Sequence, residues 1–257
     1  LKVSKNHIYN MGYSKMNDIP INLDINFKNS SGERAFVKVD DGKISFKVLS
    51  IRNNVLKLKA ENDGTIKSKK GVNFPGVNLR IPAVTEQDKK NIEIGIKLKV
   101  DWLALSFVRA HEDIDEIKNI LKVENKSIPV IAKIEKPEAI ENLSKIVETF
   151  DGILIARGDL GVEMELSQLP ILQKKIIRQC RYYKKPVIIA TQILESMIKN
   201  STPTRAEVND VANAVYEGVD AVMLSGETAV GEYPIETIEI MNKIIVNIEK
   251  ELVDFNI

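Results

Sequence analysis

Apolar and polar positions alternate with a period of two through the early part of the chain. The runs 35–39, 44–48 and 55–59 each place hydrophobic residues at every second position. Asp40-Asp41-Gly42 and Asn53-Asn54 punctuate them, and Asn62-Asp63-Gly64 marks a further turn. Short alternating runs joined by Asp-Gly and Asn-Asn turns predict antiparallel hairpins, hence a small β-domain. The first thirty residues carry the same tendency, diluted by Gly12, Pro20 and scattered polar residues.

Beyond Lys70 the period changes. Five near-continuous apolar runs, 103–108, 129–134, 152–155, 186–190 and 221–224, are each followed by a segment of helical periodicity. Those helices are expected over 111–124, 137–149, 169–183, 205–217 and 234–252, with a further one over 85–98 that Thr85 caps. Apolar strands alternating with amphipathic helices imply a parallel sheet buried on both faces. The runs recur every ~23 to 35 residues, as βα units do.

Polar residues gather where the runs end: Ser106 and Arg109, Lys133 and Glu135, Arg157 and Asp159, Thr191 and Gln192, Ser225 and Glu227. Functional groups at the C-terminal ends of several strands are the arrangement of a TIM-barrel mouth. No GxGxxG follows a strand, which argues against a dinucleotide fold. Five strands do not close a barrel of eight, so the sheet expected here is a partial (β/α)8 barrel.

Composition narrows the classes. The chain has 257 residues, 44% hydrophobic and 28% charged, with 37 basic and 36 acidic side chains giving a net charge of +1. That balance offers no basic field to nucleic acid or an anionic membrane, and no apolar run approaches the ~18 residues of a membrane span. A single cysteine, Cys180, excludes an internal disulfide, and two histidines exclude a Cys/His zinc cluster. Both suit a reducing compartment. Position 1 is Leu rather than Met, which suggests a fragment or a processed product.

Within 129–134, Lys133 and the following Glu135 share one strand face. Alone, such a pair reads more readily as a structural ion pair. On the next unit, Arg157-Gly158-Asp159-Leu160-Gly161 adds a second carboxylate in a glycine-bearing turn suited to close backbone approach by an anion. Glu135 and Asp159 on adjacent strand ends could hold one hard divalent ion. Lys133 would then supply positive charge where an anionic oxygen develops. Thr191 adds a hydroxyl, although alone it reads as a cap.

These segments resemble the pyruvate kinase family. Lys69-Lys70-Gly71-Val72-Asn73-Phe74-Pro75-Gly76 is similar to its lid-to-barrel junction, with Phe74 where leucine is usual. Ala132-Lys133-Ile134-Glu135 and Ala156-Arg157-Gly158-Asp159-Leu160-Gly161 resemble its active-site motifs. Ala190-Thr191-Gln192-Ile193-Leu194-Glu195-Ser196-Met197 is similar to its threonine motif, with Ile193 in place of methionine. Pro203-Thr204-Arg205-Ala206-Glu207, Met223-Leu224-Ser225-Gly226-Glu227-Thr228-Ala229 and the earlier Val39-Asp40-Asp41-Gly42-Lys43-Ile44-Ser45 follow the family order.

The resemblance implies a small antiparallel β-barrel lid over residues 1–71 and the second part of the barrel domain over 72–257. It implies transfer of a phosphoryl group from phosphoenolpyruvate to ADP, giving pyruvate and ATP. Glu135 and Asp159 would bind Mg2+, or Mn2+ in its place. Lys133 would stabilise the transferring group and the enolate. Gly158, Asp159 and Thr191 would hold the substrate carboxylate, and Thr191 would help protonate the enolate. Lys70 would reach the nucleotide phosphates, and Glu227 would support the site from behind. K+ is also expected, but its ligands belong to the family's first three barrel strands, which this sequence lacks. Weak or absent activity of this chain alone is therefore expected.

The complete protein would be a homo-oligomer, a tetramer, in the cytoplasm, with a plastid as the alternative. Two other readings stay open at this point. One is a truncated subunit acting only in assembly; the other is a metal-dependent lyase or aldolase of another phosphoenolpyruvate/pyruvate barrel family.

Overall fold

The computed structural model describes residues 1–21, 36–75 and 82–254. Two compact units are present, residues 1–82 with 161–166, and residues 83–160 with 167–257.

The first unit is β-rich. Its strands are β1 (Lys2–Val3), β2 (Ile8–Gly12), β3 (Ile19–Pro20), β4 (Phe36–Val39), β5 (Ile44–Arg52), β6 (Val55–Ala60), β7 (Gly64–Thr65) and β8 (Val72–Asn73). Six of them form a sheet in the order β3-β2-β6-β5-β4-β8, while β1 and β7 pair separately. The expected hairpins form: β4 pairs antiparallel with β5, and β5 with β6. Their turns use the residues that tolerate a left-handed backbone, with φ of 54° and 56° at Asp40 and Asp41, and 50° and 58° at Asn53 and Asn54. Ala35, at the start of the first expected run, and Gly76 lie outside the described residues.

The period of two becomes a core: Val37, Val39, Ile44, Phe46, Leu56 and Leu58 are buried together on one face. Phe74 joins that core, and β8 pairs with β4, so the chain stays with this unit past residue 71.

The second unit alternates helix and strand. It runs α1 (Glu86–Leu98), β9 (Leu103–Leu105), α2 (Asp115–Val123), β10 (Val130–Ile134), α3 (Pro137–Glu141), α4 (Leu143–Thr149) and β11 (Gly152–Ala156). It continues with α5 (Arg157–Glu163), α6 (Leu169–Tyr183), β12 (Val187–Ala190), α7 (Arg205–Tyr216), β13 (Ala221–Met223), α8 (Gly226–Ala229) and α9 (Pro234–Asp254). All five strands pair in parallel in the order β13-β12-β11-β10-β9, which is chain order reversed. Among the described residues, no helix is long and apolar enough to cross a membrane.

Three elements differ from expectation for local reasons. The strand expected over 103–108 ends at Leu105 because Phe107 turns to φ 56°. The helix expected over 137–149 breaks at Asn142, whose side-chain amide donates to the carbonyls of Arg109 (3.0 Å) and Glu138 (3.2 Å). The 111–124 helix opens with a 3-10 turn over His111–Ile114 before α2 begins. Trp102 is 45% exposed beside Gly152.

The sheet has two unlike faces. Val130, Ala132, Ile134, Ile153, Ile155, Val187 and Ile189 are buried against the helices in one large cluster. Leu154, Ala156 and Ala190 form a small cluster on the other face, with Ile131 and Ile188 against it. That second face carries Lys133, and it directs the polar strand ends described next.

Candidate active site

Register brings the polar residues to one level. Ala156 pairs with Ala190, so Arg157 and Thr191 leave their strands side by side. Ile134 pairs with Ile155, so Glu135 leaves its strand level with Ala156, one residue before Arg157. Leu105 pairs with Ala132, which puts Ser106 beside Lys133. The ends of four consecutive parallel strands, β9 to β12, therefore supply one cluster.

At its centre is an ion pair. Lys133 Nζ lies 2.6 Å from Glu135 Oε1 and donates to Ser106 Oγ at 3.1 Å. The backbone N–H of Phe107 donates to Glu135 Oε2 at 2.7 Å. Glu135 is 1% exposed, and burial pushes its carboxyl above the usual carboxylate range. Lys133 and the Phe107 amide oppose that rise, while the charge of Asp159 adds to it. Two carboxylates thus feel one another at the strand ends, although one of them is buried.

The amide of Phe107 reaches Glu135 only because this bulky residue adopts φ 56°. A left-handed backbone at such a residue costs of order 1–3 kcal/mol and persists where its surroundings impose it. Thr191 at φ 70° and Gln192 at φ 54° form a second left-handed pair just past β12. There the Thr191 hydroxyl donates to Ala190 O at 2.6 Å and accepts from the Gly158 N–H at 2.7 Å. A side chain at position 158 would bring its Cβ to 3.2 Å from Thr191 Oγ1, so glycine is what permits this approach.

Arg157 opens α5, the helix that follows β11 without a loop, with Gly158 and Asp159 in its first turn. Carboxylates and anions are favoured at such a terminus. Glu227, 2% exposed in α8, accepts from the Ser225 N–H at 2.7 Å.

The donor set fits a hard divalent cation. Glu135 and Asp159 are oxygen donors whose charges repel without one, and the rest of the cluster is hydroxyl, amide and ammonium. Among the described residues no group of three or more His, Cys, Asp or Glu could hold a metal. An ion held by one or two carboxylates, with water and substrate completing its shell, would ask no more of the protein than Glu135 and Asp159.

Lys133, Glu135, Gly158, Asp159 and Thr191 all belong to the second unit. Lys70 belongs to the first, where it forms an ion pair with Asp40 at 2.9 Å.

The chain matches the family model described as pyruvate kinase, barrel domain, over residues 3–238. It belongs to the pyruvate kinase family. It is 50% identical over 223 residues to pyruvate kinase 2 of Synechocystis, covering 86% of this chain and 37% of that protein. It is 46% identical over 220 residues to pyruvate kinase of Mycobacterium tuberculosis, covering 86% of this chain and 46% of that protein. With pyruvate kinase of Staphylococcus aureus the identity is 48% over 217 residues, 84% of this chain and 37% of that protein. The chain thus spans less than half the length of these pyruvate kinases.

Sequence reasoning missed the parts of this candidate site that the backbone supplies. The Phe107 amide left no signal, since phenylalanine does not announce a left-handed turn. Asp210, which holds Arg157 at 2.7 Å, sits mid-helix in α7 and reads there as an ordinary polar position.

Proposed function

We propose that this chain is part of an enzyme that transfers the phosphoryl group of phosphoenolpyruvate to ADP, giving pyruvate and ATP. The β-rich unit would be its lid domain and the α/β unit the second part of a (β/α)8 barrel. The observation that carries the reading is the Lys133–Glu135 pair, 2.6 Å apart at the end of a parallel strand, with the Gly158–Thr191 contact at the ends of the next two. Such a donor set, together with the names of the relatives, favours catalysis over a subunit that serves only assembly.

Mg2+, or Mn2+ in its place, held by Glu135 and Asp159, would neutralise charge on the phosphoryl and enolate oxygens. An oxygen of the ADP β-phosphate attacks phosphorus as the bond from phosphorus to the enol oxygen breaks, and the electron pair stays on that oxygen. Lys133 places its ammonium where this charge collects. The Gly158 amide and the Thr191 hydroxyl, which here bond to Thr191 Oγ1 and to Ala190 O, would turn to donate to the substrate carboxylate and so orient carbon 3. The enolate then takes a proton at that carbon from the Thr191 side, through water, and pyruvate results. Lys70 would meet the nucleotide phosphates, exchanging Asp40 for them. K+, a tetrameric assembly and a cytoplasmic or plastid location complete the reading by family likeness.

The test is binding of oxalate, a mimic of enolpyruvate, to this chain with Mg2+ by calorimetry, beside a coupled assay for ATP formation. Mg2+-dependent oxalate binding that falls about 100-fold or more in E135Q and D159N is expected, with weak or no turnover from this chain alone. Oxalate binding indifferent to Mg2+ and to both substitutions would sink the assignment.

A further inference from the structure

Arg157 follows β11 directly and is 8% exposed, and its guanidinium reaches the segment after β12. One terminal nitrogen, Nη2, donates to the carbonyls of Thr191 (3.1 Å) and Gln192 (2.9 Å). The other, Nη1, donates to Asp210 Oδ1 at 2.7 Å on α7, with Gln173 Oε1 of α6 at 3.5 Å. Gln173 is fixed in turn by donating to Glu217 Oε2 at 3.1 Å.

The two carbonyls belong to the consecutive residues at φ 70° and φ 54°. A β-branched residue does not hold a left-handed backbone without external constraint. Arg157 supplies that constraint: it is anchored to two helices and grips the peptide oxygens on either side of Gln192. The conformation so held is the one that brings Thr191 Oγ1 to the amide of Gly158, the residue next to Arg157 in the chain.

We propose that Arg157 is a positioning residue that fixes Thr191 through its backbone and so aligns the hydroxyl with the Gly158 amide. This rests on the proposed reading that those two groups receive the substrate carboxylate. Arginine is required because its planar fork serves two carbonyls and a carboxylate at once; a lysine ammonium is a point charge without that geometry.

The experiment compares wild type, R157K, D210N, T191V and R157K/T191V in this chain, by amide hydrogen exchange and by calorimetry of oxalate with Mg2+. Exchange at the Gly158 amide should quicken about tenfold in R157K and measurably in D210N, while Ile153 and Ile155 on β11 keep their protection. R157K should weaken oxalate about tenfold, and in the T191V background it should add nothing further, the signature of two residues acting as one. If R157K loosens the strands as well, D210N, which keeps the arginine, decides alone. Unchanged Gly158 exchange in D210N and R157K, or effects of R157K and T191V on oxalate that multiply, would overturn the proposal. Faster Gly158 exchange with T191V leaving oxalate affinity intact would uphold the positioning role and overturn the carboxylate site.

Discussion

Phe107 shows how a single backbone angle does chemical work. At φ 56° its amide meets Glu135 Oε2, while its ring is 51% exposed, with Lys136 Nζ 5.7 Å from the ring centroid. An exposed ring contributes little burial, so backbone conformation should dominate substitutions here. F107G should therefore be more stable than F107A by about 1 kcal/mol, reversing the usual order of glycine and alanine, when both are unfolded in urea. Alanine equal to or better than glycine would show that the angle is not imposed. That Lys133, Glu135 and Thr191 stand at strand ends was legible in the sequence, because apolar runs that stop at polar residues encode it. The roles proposed for them, for Gly158 and for Asp159 draw on the family resemblance. The left-handed Phe107, Thr191 and Gln192 were not legible, because none is a residue type that prefers that conformation.

Helix starts were legible where a capping pair announces them. Thr85 caps α1 by accepting from the Asp88 N–H at 3.2 Å, and Thr204 caps α7 by accepting from Glu207 N–H at 3.2 Å. Glu207 does more than close its own cap. It also accepts from the Ser196 N–H at 2.7 Å and the Ser196 hydroxyl at 2.5 Å, tying the 3-10 turn Glu195–Ile198 to α7. Burial pushes this carboxyl upward, but the hydrogen bonds from Ser196 and Thr204 outweigh it and hold the pKa below its ordinary value. A depressed pKa stabilises the fold above the unfolded value of about 4.3 and loses that contribution as pH falls through the folded one. E207Q should cost about 1–2 kcal/mol at pH 7, and the gap to wild type should narrow as pH falls below the unfolded value, in parallel urea titrations. A gap that is constant with pH would mean the charge plays no part. The break at Asn142 had no such announcement, since an asparagine on a helix is as well read as a solvent-facing residue.

At the scale of the molecule, the alternation of strand and helix was legible, and so was the parallel sheet, because period and length report burial on both faces. What periodicity does not report is how evenly the two faces are covered. Ile189 is fully buried against the helices, whereas Met223 on the edge strand β13 is 38% exposed, and Ala104 on the other edge strand is exposed too. I189A should cost about 2–4 kcal/mol by opening a cavity. M223S should change the stability of this chain by less than about 0.5 kcal/mol in the same denaturant series. Similar losses at both positions would show the sheet to be covered alike on its two sides. The strand order carries a further consequence. Because each of β9 to β13 pairs only with its predecessor and its successor among the described residues, no strand of that sheet need wait for a later segment before finding a neighbour. A chain leaving the ribosome can then add one βα unit at a time onto a growing template, with short loop closures and little chance of threading error.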